Sequence, residues 1–270
     1  MHRQGRAAPE DTTGGPQDEA EAYRRLLSAH ARERHRRGAW AAAIADGLGA
    51  HLSPRSVVDV GCGLGFFLAA MGARGAERLR GVEAGWIEGQ PTEVPHASYV
   101  LHDLERPYAE EGRYDLAACL EVAEHLSAER GPGLIDDLAR LSDRVLFSAA
   151  IPGQGGRGHV NCRWQSYWAG LFAERGYACF DPLRRHLAAI DGMAPWFAQN
   201  LLLYVRDGAE VPGSLAPHRI SPVAADMVLP HFHRRMLKAK ERRFRAAVAQ
   251  LHEAGLAYTP PSKASGKAAR

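Results

Sequence analysis

The chain has 270 residues, enough for one sheet-centred core with extensions, and its 34 Lys+Arg against 31 Asp+Glu leave a net charge of +3, too slight to point to nucleic acid as the partner. Four cysteines without a C-x-x-C pair argue against a disulfide framework and a structural zinc site. With no apolar signal core and no run approaching a membrane span, a cytoplasmic protein is expected, its oligomeric state left open.

Residues 1–17, rich in Gly, Pro, Asp, Thr and Gln, predict a disordered leader. Residues 18–54 predict a helical cap, in which Tyr23, Leu26, Leu27, Ala31, Trp40, Ile44 and Leu48 recur as apolar positions. Arg24, Arg25, Arg32, Arg34, Arg36 and Arg37 crowd the same segment and read as a solvated face. Val57, Val58 and Val60 then make a β-branched run that ends in Gly61-Cys62-Gly63-Leu64-Gly65. A buried strand is predicted to turn here into a helix, through glycines that let the backbone approach a ligand with no Cβ in the way. The spacing is not the dinucleotide pattern G-x-G-x-x-G, and an acid, Asp59, precedes the first glycine.

A second strand over residues 79–83 ends in Glu83, a carboxylate suited to a vicinal diol. A third, over 98–101, runs into Asp103 and Leu104, and a fourth, over 114–120, runs into Glu121-Val122-Ala123-Glu124-His125. On a helix starting at that strand end, Glu121, Glu124 and His125 would share one face. A fifth strand spans 145–150. The glycine-rich loop 152–158 follows, predicted to be a mobile lid, and carries His159 and an aromatic segment over the carboxyl ends of the strands. Strands over 177–181 and 200–206 close the sheet, a linker and a second basic helix occupy 207–256, and 257–270 is a tail.

The D-x-G-x-G-x-G stretch from Asp59 to Gly65, with acids at three successive strand ends, resembles class I S-adenosylmethionine (SAM) methyltransferases over residues 55–206. The resemblance implies an α/β fold: a doubly wound, mostly parallel seven-stranded sheet with an antiparallel last strand, here extended by N- and C-terminal helices. It implies SAM as cofactor, held by Asp59, Gly61, Cys62, Gly63, Gly65, Glu83, Asp103, Leu104 and Glu121. The E-x-x-E-H stretch with the later His159 is similar to that of metal-dependent small-RNA 2′-O-methyltransferases and of ubiquinone-pathway O-methyltransferases. There Glu121, Glu124, His125 and His159 would hold Mg, Mn, Fe or Zn. Two readings stay open. In the other, no metal is bound, Glu124 and His125 make local hydrogen bonds or assist, and His159 is the general base.

The absence of D/N-P-P-Y/F/W after the fourth strand argues against exocyclic-amine methylation of DNA, and the absence of Pro-Cys against cytosine C5 methylation. The segment from Phe147 through Asn161 to Trp168 resembles bacterial glycan and natural-product methyltransferases, implying a small hydroxylated acceptor. RNA 2′-O-methylation, methylation of a small amine, and a SAM-binding role without methyl transfer are the alternatives. No RNA-binding module accompanies the basic helices.

Overall fold

The structure, a computed structural model, describes residues 16–256 and Tyr258. Apart from Pro16, Gln17 and Tyr258, the leader and the tail expected at the two ends lie outside the described residues. The N-terminal cap is two helices rather than one continuous element. These are α1 (Pro16–Arg32) and α2 (Arg34–Gly49), separated at Glu33, whose φ of −96° and ψ of 15° leave the helical well. Helix α2 buries Trp40, Ile44 and Leu48, a stripe at four-residue intervals that faces the rest of the fold.

The sheet is built from β1 (Ser56–Val60), β2 (Arg78–Glu83), β3 (Tyr99–Leu101), β4 (Leu116–Leu120), β5 (Arg144–Ser148), β6 (Tyr177–Phe180), β7 (Leu202–Arg206) and β8 (Arg219–Ile220), in the order β3-β2-β1-β4-β5-β7-β6-β8. Strands β1 to β5 pair in parallel, and β7 inserts antiparallel between β5 and β6. The sheet thus has eight strands rather than the expected seven. The extra one, β8, pairs antiparallel with β6 from within the segment expected to be a linker, and its two residues are too few to leave a period in the sequence.

Strands β1, β4 and β5 are buried on both faces, which is why they read as continuous apolar runs. In register, Val58, Ala117 and Val145 lie side by side. They join a core completed by Leu134, Ile135 and Leu138 of α4 (Gly131–Leu141) and by Trp168 and Phe172 of α5 (Gln165–Ala173). Helix α2 packs on α3 (Phe66–Ala73) and on α6 (Arg184–Ala188), and α6 packs on α7 (Pro195–Asn200). Helix α8 (Pro230–Glu253) belongs to a second compact unit that begins at Pro230. Among the described residues, no helix is long and apolar enough to cross a membrane.

Candidate active site

At the carboxyl end of β1 the chain turns through Gly61, Gly63 and Gly65 with φ of 78°, 52° and 83°, all in the left-handed region that favours glycine. A Cβ at Gly61 would overlap the methyl groups of Val122, and one at Gly65 would overlap the Tyr99 hydroxyl, so this turn is closed to other residues by packing as well. The Gly63 amide donates to Glu83 Oε2 at 2.7 Å, while Oε1 accepts from the Ala84 amide at 2.9 Å and from Trp86 Nε1 at 3.0 Å. Two lone pairs of Oε1 are thereby used and one of Oε2 is left over.

Asp59 is buried with Oδ1 unpartnered, and burial, then the charge of Glu83, push its pKa from 3.8 to about 7. A buried acid with an unused oxygen beside a glycine turn fits a ligand that brings a cation or a donor, as the ammonium end of SAM does. Leu104 is buried and Asp103 exposed, the latter accepting from the Glu105 amide at 3.0 Å. Asp59, the glycine turn, Glu83, Asp103 and Leu104 all line one cavity of about 710 Å³.

The E-x-x-E-H stretch lines the same cavity, but it is a turn and not a helix. Glu121 has φ of 56°, alone among the described non-glycine residues in being positive, and this reverses the chain at the end of β4. Its carboxylate is held beside Glu124 by two side-chain amides of other segments. Oε2 accepts from Gln154 Nε2 at 2.7 Å and Oε1 from Asn200 Nδ2 at 3.1 Å, and Asn200 also donates to Gln154 Oε1 at 2.9 Å.

Glu124, His125 and His159 do converge, with ligating atoms within 4.8 Å of one another. The expected four-residue metal set is therefore three residues with Glu121 beside it. Glu124 is fully buried, and neither carboxylate oxygen has a hydrogen-bond partner among the described residues. Its backbone carbonyl accepts from the amides of Val160 at 2.8 Å and Asn161 at 3.0 Å, which brings His159 Nε2 to 4.0 Å from Glu124 Oε1. Burial, followed by the neighbouring Glu121 carboxylate, raises the Glu124 pKa well above the ordinary range. Burial lowers His159, and burial together with His159 lowers His125 to about 4, so both imidazoles are neutral at pH 7. The two rings meet edge to face at 4.8 Å between centroids.

Sequence reading passed over three contributors. Gln154 and Asn200 clasp Glu121 from a loop and from the end of α7, and Tyr23 of α1 reaches His125 Nδ1 at 3.0 Å. Only tertiary structure brings them there. In the sequence Asn200 is only the first residue of an expected strand, and Tyr23 one apolar position of a helix.

A family described as a methyltransferase domain matches residues 32–183, more than half of the chain. The chain belongs to that family and is a class I SAM-dependent methyltransferase, in agreement with the sheet order and the glycine turn. Among solved structures, it is similar to an O-methyltransferase family protein from Burkholderia thailandensis, with a TM-score of 0.50 and 14% identity over 72% of this chain and 61% of that one. It thus spans about three fifths of that protein's length. It is also similar to the magnesium protoporphyrin IX methyltransferase of Synechocystis PCC 6803, at 0.43 and 19% over 73% and 87% of the two chains. A third is phosphoethanolamine N-methyltransferase 1 of Haemonchus contortus, at 0.45 and 14% over 74% and 52%. No curated protein sequence matches the chain.

Proposed function

We propose that this protein methylates a hydroxyl oxygen of a small metabolite, a sugar or a natural-product scaffold. The observation that carries the reading is the Glu124–His125–His159 cluster in the cavity that holds the cofactor turn, with the Glu124 oxygens buried and unpartnered. SAM supplies an already activated methyl group, so the protein has to align the acceptor and take up its proton. His159, neutral at pH 7, is the base that receives the hydroxyl proton. Tyr23 holds the other imidazole, His125, by its Nδ1. The clasp by Gln154 and Asn200 fixes the Glu121 carboxylate beside Glu124.

The same three residues fit a divalent cation: a carboxylate with unused oxygens and two neutral imidazoles are the donors that Mn, Fe or Zn accept, and Mg less readily. Such an ion would act as a Lewis acid on the acceptor hydroxyl. Incubation with methyl-deuterated SAM and a panel of sugars and phenols should yield products carrying the label on oxygen. Label on nitrogen or on RNA would reject the reading. Turnover abolished by a chelator and restored by Mn²⁺ at unchanged SAM affinity supports the cation; turnover indifferent to chelation leaves His159 working alone.

A further inference from the structure

The walls of the cavity differ in charge. The strand ends contribute acids, among them Asp59, Glu83, Glu121 and Glu124, whereas the helical cap contributes Arg37 and His30. His30 is held to a pKa of about 4 by burial and then by the charge of Arg37, so it is neutral at pH 7 and Arg37 is the cation of that wall. The Nε of Arg37 is buried with no hydrogen-bond partner, and no other side-chain N–H of Arg37 makes a hydrogen bond among the described residues. Its one acidic neighbour there is Glu33, at 3.6 Å, and Glu33 binds Arg36 more closely, at 2.6 Å and half exposed.

Arg37 is also held in place from the side. Its guanidinium carbon lies 5.6 Å from the ring centre of Trp40, one helical turn on. Trp40 is fixed in turn by a 2.7 Å hydrogen bond from Nε1 to the Gly192 carbonyl and by an edge-to-face contact with Trp196 at 5.5 Å. Trp40, Ile44, Trp196 and Phe197 line the cavity around it. A planar fork with unused donors, set among aromatic rings, is built for a planar anion on an apolar body.

Resting on the methyltransferase reading, we infer that Arg37 is an acceptor-specificity residue: it binds a carboxylate of the methyl acceptor, whose aromatic or other flat apolar body lies against Trp40 and Trp196. A carboxylate matches this wall better than a phosphate does. On the cap one guanidinium balances one charge, and a second negative charge there would lie next to Glu33; the cavity's other guanidinium, Arg157, belongs to the glycine-rich loop. The strand-end side of the cavity is lined by carboxyl groups, which offer a carboxylate no cation, so it is directed to the cap while the hydroxyl end is left to face His159.

The probe is 2-naphthoate, compared with neutral 2-naphthamide and with 2-naphthyl phosphate, titrated into the full chain with and without S-adenosylhomocysteine (SAH). The wild type should bind naphthoate tighter than naphthamide by about tenfold or more, the scale of one charge-assisted hydrogen bond. Arg37→Gln should erase the ratio, Arg37→Lys should keep part of it, and SAH affinity should be the same in all three proteins, which also reports that they fold. Equal binding of the two probes, binding of neither, or a ratio that survives in Arg37→Gln overturns the assignment. Arg37-dependent preference for the phosphate overturns the choice of carboxylate. Failure of the wild type to bind SAH would count against the methyltransferase reading, and the naphthoate ratio without SAH would still decide the role of Arg37.

Discussion

The hydroxyl of Tyr23 lies 3.0 Å from Nδ1 of His125, and the ring of the same tyrosine stacks on Trp86 at 4.4 Å and 10°. Because Trp86 donates to Glu83, one side chain of the N-terminal helix spans both halves of the candidate site, from the acid at the end of β2 to the imidazole of the Glu124–His125–His159 cluster. The cap therefore contributes side chains to the candidate site.

Tyr23→Phe keeps the stack on Trp86 and removes the contact to His125. Turnover should fall several-fold with SAH affinity unchanged. Tyr23→Ala also removes the aromatic pair, worth about 0.5–1.5 kcal/mol, and should weaken SAH binding as well. Calorimetry alongside initial rates separates the two, and loss of SAH affinity in Tyr23→Phe would contradict the division of roles.

Gly156 is placed so that a Cβ would overlap the His159 ring at Nε2. Gly156→Ala should thus displace the imidazole and lower kcat by about the 10²-fold or more that general-base catalysis contributes, while SAM affinity stays at the wild-type level. Near-normal kcat with the true acceptor would place the base elsewhere.

Asp59 yields a prediction about stability against pH. Its pKa in the folded protein, about 7, is above its ordinary 3.8, so the folded state favours the protonated acid. Its contribution is fully present below about pH 4 and is lost as the pH rises through 7. Asparagine has no proton to lose, so Asp59→Asn should gain on the wild type in urea midpoint as the pH rises from about 4 to 8, in the absence of SAM. A gap that does not change with pH would mean that Asp59 ionises freely in the fold.

Much of this was legible in the sequence, because parallel strands buried on both faces write themselves as runs such as Val57, Val58 and Val60, and because ligand-facing acids stand at their ends. The cofactor half follows from such local signals. The half built around Glu124, His125 and His159 does not. Glu121, Glu124 and His125 have the spacing of one helical face, yet the left-handed backbone at Glu121 breaks the helix and turns its carboxylate toward Gln154 and Asn200. Next to that reversal Val122 packs over Gly61, a contact between residues far apart in the chain. Arg37 was equally hidden. In a run of arginines it reads as one more solvated charge, and only its buried Nε and its place beside Trp40 distinguish it.

The most direct test of the account is the rate of methyl transfer by Glu124→Gln at saturating SAM, set against its SAM dissociation constant. Glutamine keeps the shape of a fully buried side chain and removes only the charge and proton chemistry of the carboxyl group. The account predicts a fall in kcat of about 10²-fold or more, the lower end of what a positioned acid–base group supplies, with SAM binding within about twofold of wild type. Wild-type turnover in Glu124→Gln, or a loss of rate that merely follows a loss of SAM binding, would contradict the assignment of Glu124, His125 and His159 as the centre where the acceptor is activated.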